Sequence, residues 1–286
     1  MPIPGLSLVG FMDEQDALNY LSSRCILPDK SLSALRHCWL EARQKLGEPI
    51  PNAGYPDIQD IPKNYKSYLQ GVVNKNPRYP VTVGNLQASF KLVEIDTLLA
   101  YQFHVETERI TDPFGATGEL SISKQLELCL PQKVDEVPRG YEFPQENSVL
   151  VKTSDVNIDV LGKGSIGGNG DQKLNALGIV YGLKSPLVQV VRYNGRCFLK
   201  NGFHRAYLLK RVGIKYIPCL FLEGGDYKRD VNPADSQVTF SQVLLESDNP
   251  PTCGHYSEDR AYPVTLRGIS RYIYVNWSVY NLLDEE

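Results

Sequence analysis

The sequence predicts an α/β protein of the α+β type, with a mixed sheet, a helical N-terminal region and a β-rich C-terminal tail. Three observations carry this. Residues 186–222 read as a hairpin, a tight turn, a helix and a strand; residues 1–80 place apolar side chains at helical spacing; and residues 262–280 read as strands, with a period of two over Ile269–Tyr280. The expected organisation is a helical region over 1–86, a sheet domain over 87–222 with an insertion at about 106–170, and a C-terminal extension over 223–286.

In the N-terminal region, Asp13–Ser23 sets Ala17, Leu18 and Leu21 on one side. Ser31–Leu46 places Leu32, Leu35, Trp39, Ala42 and Leu46 at three- and four-residue intervals, and Gly47 and Pro49 end it. Gly47–Pro62 has loop composition, and Asn64–Val73 reads as a third helix. No catalytic spacing occurs in this region, so packing or a protein partner is the expected role of these helices.

Phe90–Ile95 alternates as a strand, which would put Glu94 and Asp96 on one face. The insertion holds a helix near Leu120–Leu130, the Pro-rich Pro131–Pro144 and an alternating strand Ser148–Val160. Gly162–Gly170 carries five glycines in nine residues but neither a P-loop nor a dinucleotide fingerprint, so it reads as a loop near the site. Asp171–Leu183 is expected to be a helix.

Leu187–Tyr193 is β-branched and apolar, Asn194-Gly195 suits a tight hairpin turn, and Arg196–Lys200 returns. Asn201-Gly202 opens a helix from Phe203 to about Val212, stopped by Gly213, and Tyr216–Leu222 reads as a buried strand. Beyond it, Phe240–Leu245 reads as a short helix. Tyr272, Tyr274 and Tyr280 form a row that suits either cross-strand packing or base stacking, with packing favoured because only Arg267 and Arg271 are near.

The turn at Asn201–Arg205 is the candidate site. Gly202 permits close backbone approach, and the first turn of the helix offers N–H groups at a positive dipole end, with His204 and Arg205 in that turn and Lys200 before it. Phosphate suits such a place.

Pro186-Leu187-Val188-Gln189-Val190, Asn201-Gly202-Phe203-His204-Arg205 and Gly213-Ile214-Lys215-Tyr216-Ile217-Pro218 resemble, in order and spacing, the signature of the ParB/sulfiredoxin superfamily. The resemblance covers roughly 40 of the 286 residues. It implies a nucleotide triphosphate, ATP or CTP with Mg, bound through Asn201, Gly202, Phe203, His204, Arg205 and Lys200. His204 and Arg205 would be catalytic, with Glu94 as a base by analogy with the serine-kinase branch. Leu92–Leu99 loosely resembles the opening strand of that domain. Phe203 stands where sulfiredoxins carry their cysteine, which excludes sulfinic-acid repair. Leu208 replaces the alanine of partition proteins, and no helix-turn-helix follows Leu222.

Charge narrows the ligand. Residues 184–222 carry +8 with no Asp or Glu, and with a net charge of −3 the remainder carries −11. One basic segment in an acidic chain suits a discrete anion better than a nucleic-acid track. The expected function is therefore a nucleotide-dependent switch or phosphotransferase; a DNA-binding accessory protein or nuclease (a hydrolase), and a non-catalytic scaffold, are the alternatives. No apolar run approaches 18 residues, Met1–Gly10 does not read as a signal peptide, and six cysteines lack any Cys-x-x-Cys pair. These point to a cytoplasmic protein with reduced thiols, no membrane partner and no metal.

Overall fold

The computed structural model describes residues 2–108, 120–133, 142–153, 158–167, 175–183, 185–231, 239–269 and 271–278. The chain forms two compact units: residues 1–133 with 186–268, and residues 134–185 with 269–286. The boundaries expected at 86 and 222 thus fall inside the first unit. The helical N-terminal region contributes Leu18, Leu21, Leu35 and Trp39 to the same core as Val190, Phe198 and Leu220.

The first unit begins with β1 (Pro2–Ser7), which the sequence pattern does not announce. Helix α1 (Glu14–Arg24) is capped by Asp13, whose carboxylate accepts the Asp16 N–H at 2.9 Å; Ala17, Leu18, Tyr20 and Leu21 are buried. Helix α2 (Leu32–Lys45) starts at the Ser31 cap and buries Leu35, Trp39 and Ala42. The Trp39 indole N–H donates to the Met12 carbonyl at 3.1 Å, tying α2 to the segment that leads into α1. After β2 (Ile58–Asp60) come α3 (Lys66–Lys75) and α4 (Tyr79–Val83), then β3 (Gln87–Glu94), β4 (His104–Glu106) and α5 (Ile122–Cys129). Because β3 ends at Glu94, Asp96 lies outside the strand, and the expected shared face of Glu94 and Asp96 does not exist.

The second unit holds β5 (Ser148–Thr153), β6 (Ile158–Gly167) and β7 (Asn175–Leu183). Two expectations are overturned in this unit. Gly162–Gly167 is strand, not loop, and Asn175–Leu183 is its antiparallel partner, not helix; a bulge separates Val160 from Gly162. The rest of the glycine run, 168–170, and residues 171–174 lie outside the described residues.

In the first unit, β8 (Gln189–Tyr193) and β9 (Arg196–Asn201) form the expected hairpin, followed by α6 (Phe203–Arg211) and β10 (Tyr216–Glu223). Asn194 and Gly195 both take positive φ, 48° and 77°, as a tight two-residue turn requires. A short α7 (Gln242–Leu245) and β11 (Tyr262–Arg267) complete this unit, and β12 (Arg271–Asn276) belongs to the second.

Two sheets organise the first unit. One has the order β11-β1-β4, and the other β2-β3-β10-β8-β9. In the larger sheet β10 is central, antiparallel to β3 and parallel to β8, so the sheet is mixed as expected. Pro218 fits within this central strand for a definable reason. Leu220 N–H donates to the Val188 carbonyl, and Pro218, two residues earlier, would direct its N–H past the point where β8 begins.

In the second unit β12 pairs with β5, setting Tyr272 opposite Lys152 and Tyr274 opposite Leu150. Tyr272 is 65% exposed and Tyr274 47%, so both rings lie on an exposed face of the strand. Tyr280 lies outside the described residues. All six cysteines are unpaired, five of them buried. Among the described residues no helix is long and apolar enough to cross a membrane, and no group of three or more His, Cys, Asp or Glu is placed to hold a metal ion.

Candidate functional site

The turn that links β9 to α6 is built by residues from three parts of the chain. Gly202 has φ 112° and ψ 20°, a left-handed conformation that side chains rarely adopt. A Cβ there would sit 2.8 Å from Val188 Cγ2, so the glycine is demanded by packing as well as by φ. That is a different reason from the ligand approach the sequence suggests. The Asn201 side-chain amide donates to the Leu187 carbonyl at 2.8 Å. The Arg205 guanidinium donates to the carbonyls of Pro186 and Leu128, the latter at 3.3 Å. Strand start, turn and the end of α5 are thereby stitched together.

Each expected site residue has a definite place. Phe203 is a core residue, 4% exposed, edge-on to Tyr101 with centroids 5.2 Å apart. Arg205 is held on backbone carbonyls, and burial lowers its pKa. His204 lies in the first turn of α6, half-buried. No side chain caps α6, and no acidic residue lies in its first turn.

Glu94 is not brought to this turn. Its carboxylate pairs with Lys215 at 3.2 Å and accepts from the Asp57 N–H and the Thr97 hydroxyl, both at 3.3 Å. Lys215 lies beyond the C-terminal end of α6, a helix about 13 Å long. Lys215, Asp57 and Thr97 all lie outside the turn.

Lys200 is the residue whose setting the sequence does not reveal. The β8–β9 register steps from Val190↔Leu199 to Gln189↔Asn201, which leaves Lys200 as the extra residue of a bulge. Its carbonyl accepts the Tyr101 hydroxyl. Burial lowers the pKa of its ammonium, while the charge of Asp230 acts in the opposite sense.

The other cations of the basic segment are committed to protein partners. Arg192 pairs with Glu223, Lys210 with Asp96 and Lys215 with Glu94. Arg196 donates to the carbonyls of Leu245 and Ser247, and Arg211 lies over the Tyr207 ring. Lys184 lies outside the described residues. Among the described residues, Lys200 makes no ion pair and its ammonium makes no hydrogen bond. Three of the eight cations of the segment are thus paired with carboxylates in the fold, and Arg196, Arg205 and Arg211 are held on neutral groups.

Chemically, this arrangement offers a helix N-terminus, an imidazole and one desolvated ammonium next to a rigid backbone turn. Such a set is chemically suited to an anion. Comparison of the chain with protein-family models, with curated proteins and with solved structures finds no match.

Proposed function

We propose that the protein binds a nucleotide, or another phosphorylated small molecule, at the turn Asn201–Arg205 of a ParB/sulfiredoxin-like fold. The observation that carries this reading is Lys200: a half-buried cation, the extra residue of a bulge, separated from the uncapped first turn of α6 only by Asn201 and Gly202. The phosphates would lie against the first-turn N–H groups, with Lys200 and His204 supplying the charge and a hydrogen bond. Mg would accompany a triphosphate as its counter-ion. Arg205 serves the site by fixing the turn rather than by touching phosphate.

A second reading, binding without group transfer, is favoured by Glu94. A base tied to Lys215 and to the Asp57 N–H is not poised to take a proton from an acceptor at the turn. On that reading the protein is a nucleotide-dependent switch or a scaffold.

The test is calorimetry and thermal shift with ATP, ADP, CTP and GTP, each with magnesium, on the wild type, Lys200→Gln and His204→Ala. Arg205→Ala is unsuitable, because it removes the contacts to Pro186 and Leu128 that shape the turn. One nucleotide is expected to raise the wild-type Tm, and Lys200→Gln to weaken it by roughly tenfold, about 1.4 kcal/mol. No shift with any nucleotide, or equal binding by Lys200→Gln, would sink the proposal. Steeply salt-dependent binding to DNA in its place would favour the nucleic-acid alternative.

A further inference from the structure

A cleft of about 860 Å³ lies in the first unit between α1 and the segment 239–244, a size typical of small-molecule sites. It is independent of the α6 turn and shares none of its residues. Its floor is a run of aromatic rings in edge-to-face contact: Phe11 on Phe240 at 6.2 Å, Phe240 on Phe103 at 4.9 Å, and Phe103 on Tyr20 at 5.7 Å. Such a run offers ring edges and faces to another aromatic ring.

The wall is polarised. Asp16, Tyr20 and Arg24 line the cleft and are spaced four residues apart on α1, so they form one stripe along the helix. The acid stands in the first turn and the cation in the last, about 12 Å apart along the axis. Asp13, also on the wall, accepts the Asp16 N–H as the helix cap. At the other end, Arg24 Nε is buried and has no hydrogen-bond partner among the described residues. The half-buried Arg24 lines the cleft, and a carboxylate is the acceptor whose geometry a guanidinium prefers.

We infer that this cleft binds an elongated aromatic zwitterion, its carboxylate on Arg24, its ring on the aromatic floor and its ammonium toward Asp16. An isolated anion would satisfy only the Arg24 end, and an isolated amine only the Asp16 end.

The experiment is calorimetry on the full chain with 4-(aminomethyl)benzoate, benzoate, benzylamine and 4-(aminomethyl)cyclohexanecarboxylate. The aromatic zwitterion is expected to bind about tenfold more tightly than either half-molecule, and several-fold more tightly than the saturated-ring compound. Arg24→Gln should reduce its affinity to that of benzylamine while leaving benzylamine unchanged. Asp16→Asn, at an exposed position, should reduce it to that of benzoate, and so tests the same assignment should Arg24→Gln disturb the helix. Absence of binding by all four compounds, equal affinity for the whole and the halves, or indifference to both substitutions would overturn the inference.

Discussion

The hairpin β8–β9 of the first unit and the hairpin β6–β7 of the second are the same device made from opposite materials. In β8–β9, Val190, Val191, Phe198 and Leu199 are all buried, and the turn is Asn194-Gly195. In β6–β7 the strand Ile158–Gly167 includes Gly162, Gly164 and Gly167, with Gly164 opposite Gly178. The difference teaches where specification resides. The first hairpin is fixed by side chains that bury on both faces, whereas the second sets glycine against glycine, at Gly164 and Gly178, where only backbone can meet. The same contrast governs the two turns that flank α6. At Gly202 a glycine is demanded by φ and by a neighbour, while at Gly213 φ is 82° and a Cβ would meet nothing within 4 Å.

The largest expected effect therefore comes from Gly202→Ala. Positive φ and the 2.8 Å approach to Val188 Cγ2 act together, and about 3 kcal/mol of destabilisation is expected. Gly213→Ala carries the conformational cost alone, about 1 kcal/mol. Urea unfolding of the two variants checks this. Equal losses would mean that the Val188 contact yields without cost and that the turn is less tightly specified than its geometry indicates.

Legibility in the sequence follows the same line. The Asn-Gly turns, the apolar run 187–193 and the helix from Phe203 are readable because each signal is local. Strand β1 is not, since its ladder partner β11 stands more than 250 residues away, with Pro2 opposite Arg267. Residues 175–183 read wrongly as helix because a short apolar run with small residues carries no distinct period, and only pairing with β6 decides it. At the candidate site, the Asn201–Arg205 turn is legible as a glycine-opened helix start. The reasons for its residues are not. Val188 explains Gly202, Leu128 and Pro186 explain Arg205, and a register step explains Lys200. Each of these depends on chain segments brought together only by the fold.

The two units also differ in how acid should act on them, and the two tryptophans separate them. Trp39 belongs to the first unit and Trp277 to the second. His255 lies in the first unit, 1% exposed. Burial foremost, then the charges of Arg260 and Lys210, push its pKa from 6.5 down to about 4. The unfolded chain thus binds the proton more tightly than the folded one. The contribution of neutral His255 is fully present above about pH 6.5 and is lost as pH falls toward 4, up to about 3 kcal/mol in all. In a Trp277→Phe protein, Trp39 fluorescence should report a urea midpoint that falls between pH 7 and pH 4.5. Adding His255→Gln should flatten that dependence. A midpoint indifferent to pH would show that His255 is protonated at little cost within the fold.

The smallest expected effect tests the second unit itself. Tyr272 and Tyr274 project from β12 at 65% and 47% exposure, and their Cα partners are Lys152 and Leu150. If β5–β12 is held chiefly by its backbone ladder, then removing these rings costs little. Tyr272→Ser and Tyr274→Ser should each change stability by no more than about 0.5 kcal/mol, the usual range for surface substitutions. The readout is Trp277 fluorescence in a Trp39→Phe protein, so that only the second unit is watched. A loss above about 1 kcal/mol would mean that the exposed tyrosines brace the ribbon through cross-strand contacts. The contrast with β8–β9 would then narrow from backbone against side chain to buried against exposed side chains.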